Sequence, residues 1–425
     1  MPRLKILEPL WVRDFAVFWA GWTVSLLGDG VFYVAIAWQV YDLKNAPTAL
    51  AAVGVAETIP LVAFVLVGGV VTDRFDRRLV LLWASLVRGL CVAVLGVLAL
   101  GGSLQLWHVF VLAVVYGAGQ AFQGPAAGSI VPDLVPPGLL VQANSLSQFV
   151  RPLAFRLVGP ALGGLIVHEL GTGAAFLADA GTFGWAALML LFVSPRGVPR
   201  DGDAPTSMLR DIREGMRFAR AHTWLWGTLG WAFLALLLTY GPFEVLVPYV
   251  VKNELGGDAG DLGLVFAAGG IGAVVVSLVV GQYGLPSRHI SAMYLAWGLG
   301  VSYLAVFAVA RAPWHAMLIA AYGEACFAMG LLVWVTLMQR VVPRGLLGRV
   351  KSLDWLVSLG LVPLSFALTG PAAAWLGAET VLVGAGIAGG ILTAVFYLLP
   401  GMRDTERDEH PARVVLSGEL EPAQP

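Results

Sequence analysis

Val135, Pro136, Pro137, Gly138, Leu139 and Leu140, with Ser145 and Leu146 behind them, return 207 positions further on as Val342, Pro343, Arg344, Gly345, Leu346 and Leu347, with Ser352 and Leu353 behind them. A segment repeated at one fixed offset marks a chain built from two equivalent halves. Each copy joins the fourth long apolar run of its half to the fifth. Two halves of six runs each is the reading that decides the fold.

The runs are membrane spans. Of 425 residues, 58% are apolar and 12% charged, with a mean hydropathy of +0.80, far above what a water-soluble core requires. A bilayer core takes roughly 20 apolar residues in helical form. The sequence predicts spans at Phe15 to Val40, Ala49 to Val71, Leu79 to Ala99, Leu106 to Ile130, Asn144 to Val167 and Ala174 to Val193, then at Trp224 to Val250, Leu262 to Tyr283, Ile290 to Val309, Trp314 to Val335, Val350 to Ala374 and Val381 to Leu399. These runs are too long for barrel strands and lack alternating polarity, so an all-α membrane protein of twelve transmembrane helices is expected.

Charge sets the expected orientation. With a cytoplasmic amino terminus, twenty of the 26 Lys and Arg residues fall inside and three outside, namely Lys44, Lys252 and Arg311. Such a bias fits an even number of spans with both termini in the cytoplasm. The remaining three, Arg88, Arg151 and Arg156, lie at membrane depth. The expected parts are a first six-helix bundle at 1–193, a connector at 194–223, a second bundle at 224–400 and a disordered cytoplasmic tail at 401–425. The amino-terminal run lacks a small-residue cleavage site and reads as a retained helix. Within the connector, Arg210, Arg213, Arg217 and Arg220 form one stripe beside Leu209, Ile212, Met216 and Ala219. That pattern suits a helix on the anionic inner leaflet or, equally, a solvated connector.

Several chemistries find no residues. Cys91 and Cys326 stand alone in apolar runs, and the six histidines never pair at helical spacing. No metal site, cofactor or nucleic-acid partner is implied, and without a clustered nucleophile and base the chain is not read as an enzyme. Parallel six-helix repeats instead suit a carrier that exposes a midplane site to each side in turn.

The loop after the second span reads Gly69-Val-Val-Thr-Asp73-Arg74-Phe-Asp76-Arg77-Arg78, which resembles the G-x-x-x-D-R-x-G-R-R signature of the major facilitator superfamily. The resemblance implies a conformational latch made by Gly69, Asp73, Arg74, Arg77 and Arg78 against the eleventh helix, where Ser352-Leu-Asp354 stands. Asp76 replaces the usual second glycine. In the fifth span, Gly159-Pro160-Ala-Leu-Gly163-Gly164 is similar to the antiporter signature, which implies packing and closure of the cavity. Gly28-Asp29, Pro132-Asp133, Gln142-Ala-Asn144, Asp179-Ala180 and Gly348-Arg349 narrow the resemblance to the macrolide-efflux and enterobactin-export branch.

Ionisable groups at membrane depth cost ~3 kcal/mol or more, so each needs a reason. In the first half Asp29 or Glu57 is expected to pair with Arg88 or Arg156. In the second, Glu244 and Glu324 have no Lys or Arg at matching depth along the sequence. They are then protonated, hydrated or matched by a cation from outside. By the resemblance Asp29, Glu244 and Glu324 lie on cavity-lining helices. Trp22, Ser25, Asp29 and Tyr33 recur on one helical face, and Tyr240 and Phe243 flank Glu244, with Pro242 and Pro248 bending that helix. An acid among aromatics suits an amphipathic or cationic substrate. The expectation is a monomeric inner-membrane exporter of a drug such as a macrolide, or of a siderophore, with protons as coupling ion; the alternative is an importer or a lysophospholipid flippase. The fourth span carries Tyr116-Gly-Ala-Gly-Gln120 where many drug antiporters carry an arginine, and Arg88 or Arg156 stands as the substitute.

Overall fold

A computed structural model describes residues 5–194 and 208–406; the early connector and the tail beyond 406, with the disorder expected of it, lie outside the described residues. Among the described residues twelve helices are long and apolar enough to span a membrane: Arg13–Leu43, Pro47–Thr72, Arg77–Leu100, Leu106–Leu134, Pro137–Leu170, Thr172–Phe192, Thr223–Asn253, Ala259–Tyr283, His289–Phe307, Pro313–Val341, Arg349–Leu376 and Ala378–Tyr397. They are the twelve expected spans. Most overrun the apolar stretches by a few residues, because terminal turns stand in the headgroup region, where polar side chains are tolerated.

The repeat is visible in the backbone. Pro136 (φ −57, ψ 150) and Pro343 (φ −54, ψ 139) each precede a new helix in the same conformation, a place that suits a residue with fixed φ. Gly171 (φ 83, ψ 169) and Gly377 (φ 87, ψ 153) each link a fifth span to a sixth as the single residue between them. Their dihedrals are reserved almost entirely to glycine.

Two spans leave α geometry where proline removes a donor. Pro152–Val158 in the fifth and Pro242–Leu246 in the seventh are π-helical. A proline ring collides with the carbonyl four residues back, and a widened turn relieves the clash. Arg156 and Glu244 sit within these two segments.

The described chain forms two compact units. The first holds the first six spans together with Pro248–Gly270 and Arg311–Met317, so it includes the link between the seventh and eighth spans. On the side opposite the connector, Lys252 pairs with Asp42 and its ammonium lies 4.4 Å from the centre of the Trp38 ring. Tyr41 and Tyr249 pack with ring centres 5.6 Å apart, and His168 Nδ1 meets Asp258 Oδ2 at 3.0 Å.

The second unit has an aromatic core: Trp231 stacks on Trp297 at 4.2 Å, and Tyr294 and Trp224 are buried beside them. The connector helix Met208–Ala221 docks on this core through Met216, Phe218 and Ala219, leaving Arg213, Arg217 and Arg220 exposed. The side chains of Leu209, Arg210 and Ile212 lie outside the described residues. Residues 401–406 fold back onto the ninth span, where Glu406 accepts from the Ser291 N–H at 2.7 Å and its hydroxyl at 2.8 Å.

Candidate functional site

Arg88 belongs to the inward face of the third span, with Leu81, Ala84, Ser85, Cys91, Val92 and Leu95 at three- and four-residue spacing. The helical period therefore drives its guanidinium into the bundle. There it is 3% exposed. Its Nη2 donates to Asp29 Oδ1 at 2.8 Å and to the Tyr116 hydroxyl, and its Nη1 donates to Gln123 Oε1. The Tyr116 hydroxyl also reaches Asp29 Oδ1, at 3.2 Å. The guanidinium carbon lies in the corner made by two rings that meet nearly at right angles, 4.3 Å from the centre of Tyr116 and 4.6 Å from that of Phe183. Both contacts offset the cost of removing a cation from water.

Small residues bring these groups together. A Cβ at Gly119 would stand 2.9 Å from Arg88 Cγ, and one at Gly28 would collide with Thr182 and the Asp179 carboxylate. Asp179 is fully buried on the sixth span, on the same face as Phe176 and Phe183. Its Oδ1 is 3.2 Å from the Thr182 hydroxyl, and its Oδ2 has no hydrogen-bond partner among the described residues. Glu57, half-buried on the second span, lies within electrostatic reach of Arg88 and Asp29.

Of the two pairings open in the sequence for Asp29, the structure has Arg88. Arg156 and Arg151 are exposed, and the Arg156 carbonyl borders Gly270. Arg88 also stands beside the fourth span through Tyr116 and Gln123, where a fourth-span arginine was the missing element. Trp22 and Ser25 border a cavity of about one water, shared with Phe18, Leu81, Ser85 and Gln123. Tyr33 packs instead on Phe266 and Phe155, at 4.7 and 6.1 Å.

In the second unit Glu244 and Glu324 are half-buried. Tyr240 meets Phe366 edge-on at 5.8 Å, and Phe243 lies 6.2 Å from Tyr303. Trp334 donates to Asp354 Oδ1 at 3.2 Å.

The loop after the second span is held within the first unit. Arg77 pairs with Asp133 at 2.5 Å, and Arg78 donates to the carbonyls of Leu190 and Leu191 at 2.6 and 3.0 Å. Asp76 needs no glycine-like backbone: at φ −58 it caps the third span by accepting from the Arg78 N–H at 2.9 Å. Arg74 is exposed, and the Asp73 side chain lies outside the described residues. A Cβ at Gly69 would meet open space, whereas one at its neighbour Gly68 would strike the Ala121 carbonyl. In the fifth span, Gly159 touches Gly30, Gly163 touches Val31, and Gly164 touches Gly263. Pro160 is buried in the same seam. The antiporter-like segment is thus a seam of close backbone approach on both sides.

Sequence reading did not single out Asp179, Phe183 and Gln123 as site residues. Asp179 entered it only within a branch-specific dipeptide, although an acid in an apolar run calls for the same question as Asp29.

The protein-family model described as transmembrane secretion effector matches residues 5–421. The multidrug efflux pump Tap of Mycolicibacterium fortuitum is 29% identical over 419 residues, covering 95% of this chain and 98% of that protein. Macrolide efflux protein A of Streptococcus pyogenes is 24% identical over 370 residues, covering 84% and 89%. Among solved structures, an inward-facing bacterial homologue of the iron transporter ferroportin has a TM-score of 0.67 at 16% identity, covering 91% of this chain and 99% of that one. The nucleoside transporter NupG has a TM-score of 0.67 at 12% identity, covering 90% and 98%. At these identities the structural likeness speaks to the fold alone. Twelve spans in that fold, and a family match running nearly end to end, place the chain in the transmembrane secretion effector family of the major facilitator superfamily, as a multi-pass bacterial inner-membrane transporter of the efflux type.

Proposed function

We propose that this protein exports bulky, partly apolar cations of the drug class, macrolides among them, in exchange for protons. The observation that carries the reading is the Asp29–Arg88 pair buried among Tyr116, Phe183 and Phe32. A cation arriving at Asp29 competes with Arg88 for its carboxylate, and aromatic rings favour a substrate with apolar surface. The names of relatives that export several drugs or macrolides support the same class.

In this reading the bundles at 1–193 and 224–400 rock about a central site, with both termini in the cytoplasm. Glu244 and Glu324 supply further acids from the second half, with Tyr240 and Phe243 beside them. Gly69, Asp73 and the following arginines latch against Asp354 in one orientation. Substrate and proton drive the cycle only through differential affinity for the two orientations, and one chain suffices.

The test is reconstitution in liposomes under an imposed pH gradient, with macrolides, tetracyclines, cationic dyes, a catecholate siderophore and a lysophospholipid offered in turn. Proton movement evoked by the drugs or dyes, and lost in Asp29→Asn, supports the reading. Movement evoked by the siderophore alone changes the substrate class. Lysophospholipid transfer without a gradient replaces export by flipping.

A further inference from the structure

We infer that Asp179 is the proton-holding carboxylate of the first unit, and that Arg88 exchanges between Asp29 and Asp179 as the proton comes and goes. Two unsatisfied atoms of opposite kind occupy one buried cluster: Arg88 Nε, an N–H without an acceptor, and Asp179 Oδ2, an oxygen without a donor, among the described residues. Asp179 lies one helical turn before Phe183, whose ring covers the guanidinium at 4.6 Å. Gly28 lets the first span press against its carboxylate.

Charge counting then decides the protonation. The groups around Asp179 are Asp29 on the first span, Arg88 on the third and Tyr116 on the fourth, with Glu57 on the second and Arg151 on the fifth acting on the same cluster. Arg88 is the buried cation, and three of its N–H bonds already serve Asp29, Tyr116 and Gln123. An ionised Asp179 would be a second buried carboxylate sharing one guanidinium, with an oxygen facing no donor. Coupled carboxylates in that position divide a proton between them, and the one without the arginine holds it.

The rings of Tyr116 and Phe183 meet nearly edge-on, with centres 6.5 Å apart, and wall the guanidinium on two adjacent sides without taking up its Nε–H, which has no acceptor among the described residues. When a cation takes Asp29, Arg88 redirects its N–H groups to Asp179, the Asp179 O–H bond breaks, and the proton is given up to the aqueous medium. One cation is bound and one proton released, with no change of redox state. The exchange rests on the export reading for the arrival of a cation at Asp29; the proton on Asp179 does not.

The test is infrared spectroscopy of the full-length protein in lipid vesicles, with and without carbon-13 aspartate, at neutral pH. The expected result is a protonated-carboxyl band that shifts with the aspartate label, is lost in Asp179→Asn, becomes a glutamic band in Asp179→Glu and stays aspartic in Asp29→Glu. Tetraphenylphosphonium, used as the cation, is expected to bleach the band and release one proton per cation bound. Absence of a label-sensitive band in the unaltered protein overturns the inference without reliance on any variant, as does conversion of the band by Asp29→Glu. A band assigned to Asp179 that the cation leaves unchanged overturns the arginine exchange. Failure of the export reading appears separately, as an intact Asp179 band in a protein that moves no drug or dye in liposomes.

Discussion

Asn45 and Asn253 exchange amide hydrogen bonds of 2.5 and 3.0 Å although 208 residues separate them in sequence. The first and seventh spans are joined there, beside Lys252 and Asp42, on the side opposite the connector. A carrier that opens on that side must break these contacts. Asn45→Cys with Asn253→Cys, bridged by a short reversible bifunctional thiol reagent, is expected to lower transport at least about tenfold, and reductant is expected to restore it. Transport unchanged by a complete bridge would show that this side never opens.

Arg88→Ala leaves the Asp29 carboxylate without its cation in a nearly dry site, and breaking a buried pair in this way costs about 3–5 kcal/mol. The double variant Arg88→Ala, Asp29→Asn removes both charges and is expected to recover at least about 1 kcal/mol of that loss. Thermal unfolding in detergent, read as a double-mutant cycle, measures the coupling. Simple addition of the two single effects would refute a direct interaction.

Gly163 and Gly69 belong to two recognised sequence signatures but face different surroundings. A Cβ at Gly163 stands 2.9 Å from the Val31 backbone, whereas one at Gly69 meets nothing. Gly163→Ala is expected to cost about 1–3 kcal/mol through overpacking. Gly69→Ala, in a helix interior, is expected to be neutral or to gain about 0.5–1 kcal/mol. Melting temperatures of the two variants, set against the parent, decide this.

Glu406 accepts two hydrogen bonds at the start of the ninth span, one from a backbone N–H that a helix beginning leaves without a partner. Glu406→Gln keeps the shape and removes the charge, at an expected cost of about 1–2 kcal/mol. Faster trypsin cleavage at Arg403, with transport spans intact, is the local readout. An unchanged cleavage rate would mean that the segment is held by Met402 and Thr405, which are fully buried.

What the sequence discloses depends on whether the signal is local. Hydropathy is a property of consecutive residues, so all twelve spans were legible, and Pro152 and Pro242 sit where the helices change their winding. Pairings between spans are not local. That Asp29 takes Arg88 rather than Arg156 depends on which faces of the first, third and fifth spans meet, and Phe183 covers Arg88 only because the sixth span packs beside the third. The glycines show the same divide: Gly159 is recognisable from its neighbours, but its partner Gly30 is not. Asp76 is a case where residue type misleads, since the turn it occupies calls for a cap and not for the torsional freedom of glycine.

Gly171 and Gly377 give the molecule a mechanical property. A connection of one residue has no slack, so each fifth span and its sixth share one pivot at that end, where neither helix end can move without the other. In the first half the leading arm is also interrupted by the widened turn at Pro152–Val158, partway along its length. The arm is thus pinned at two places, by the swivel at Gly171 and by the close-packed Gly159–Gly164 seam, and its break in winding lies just outside both.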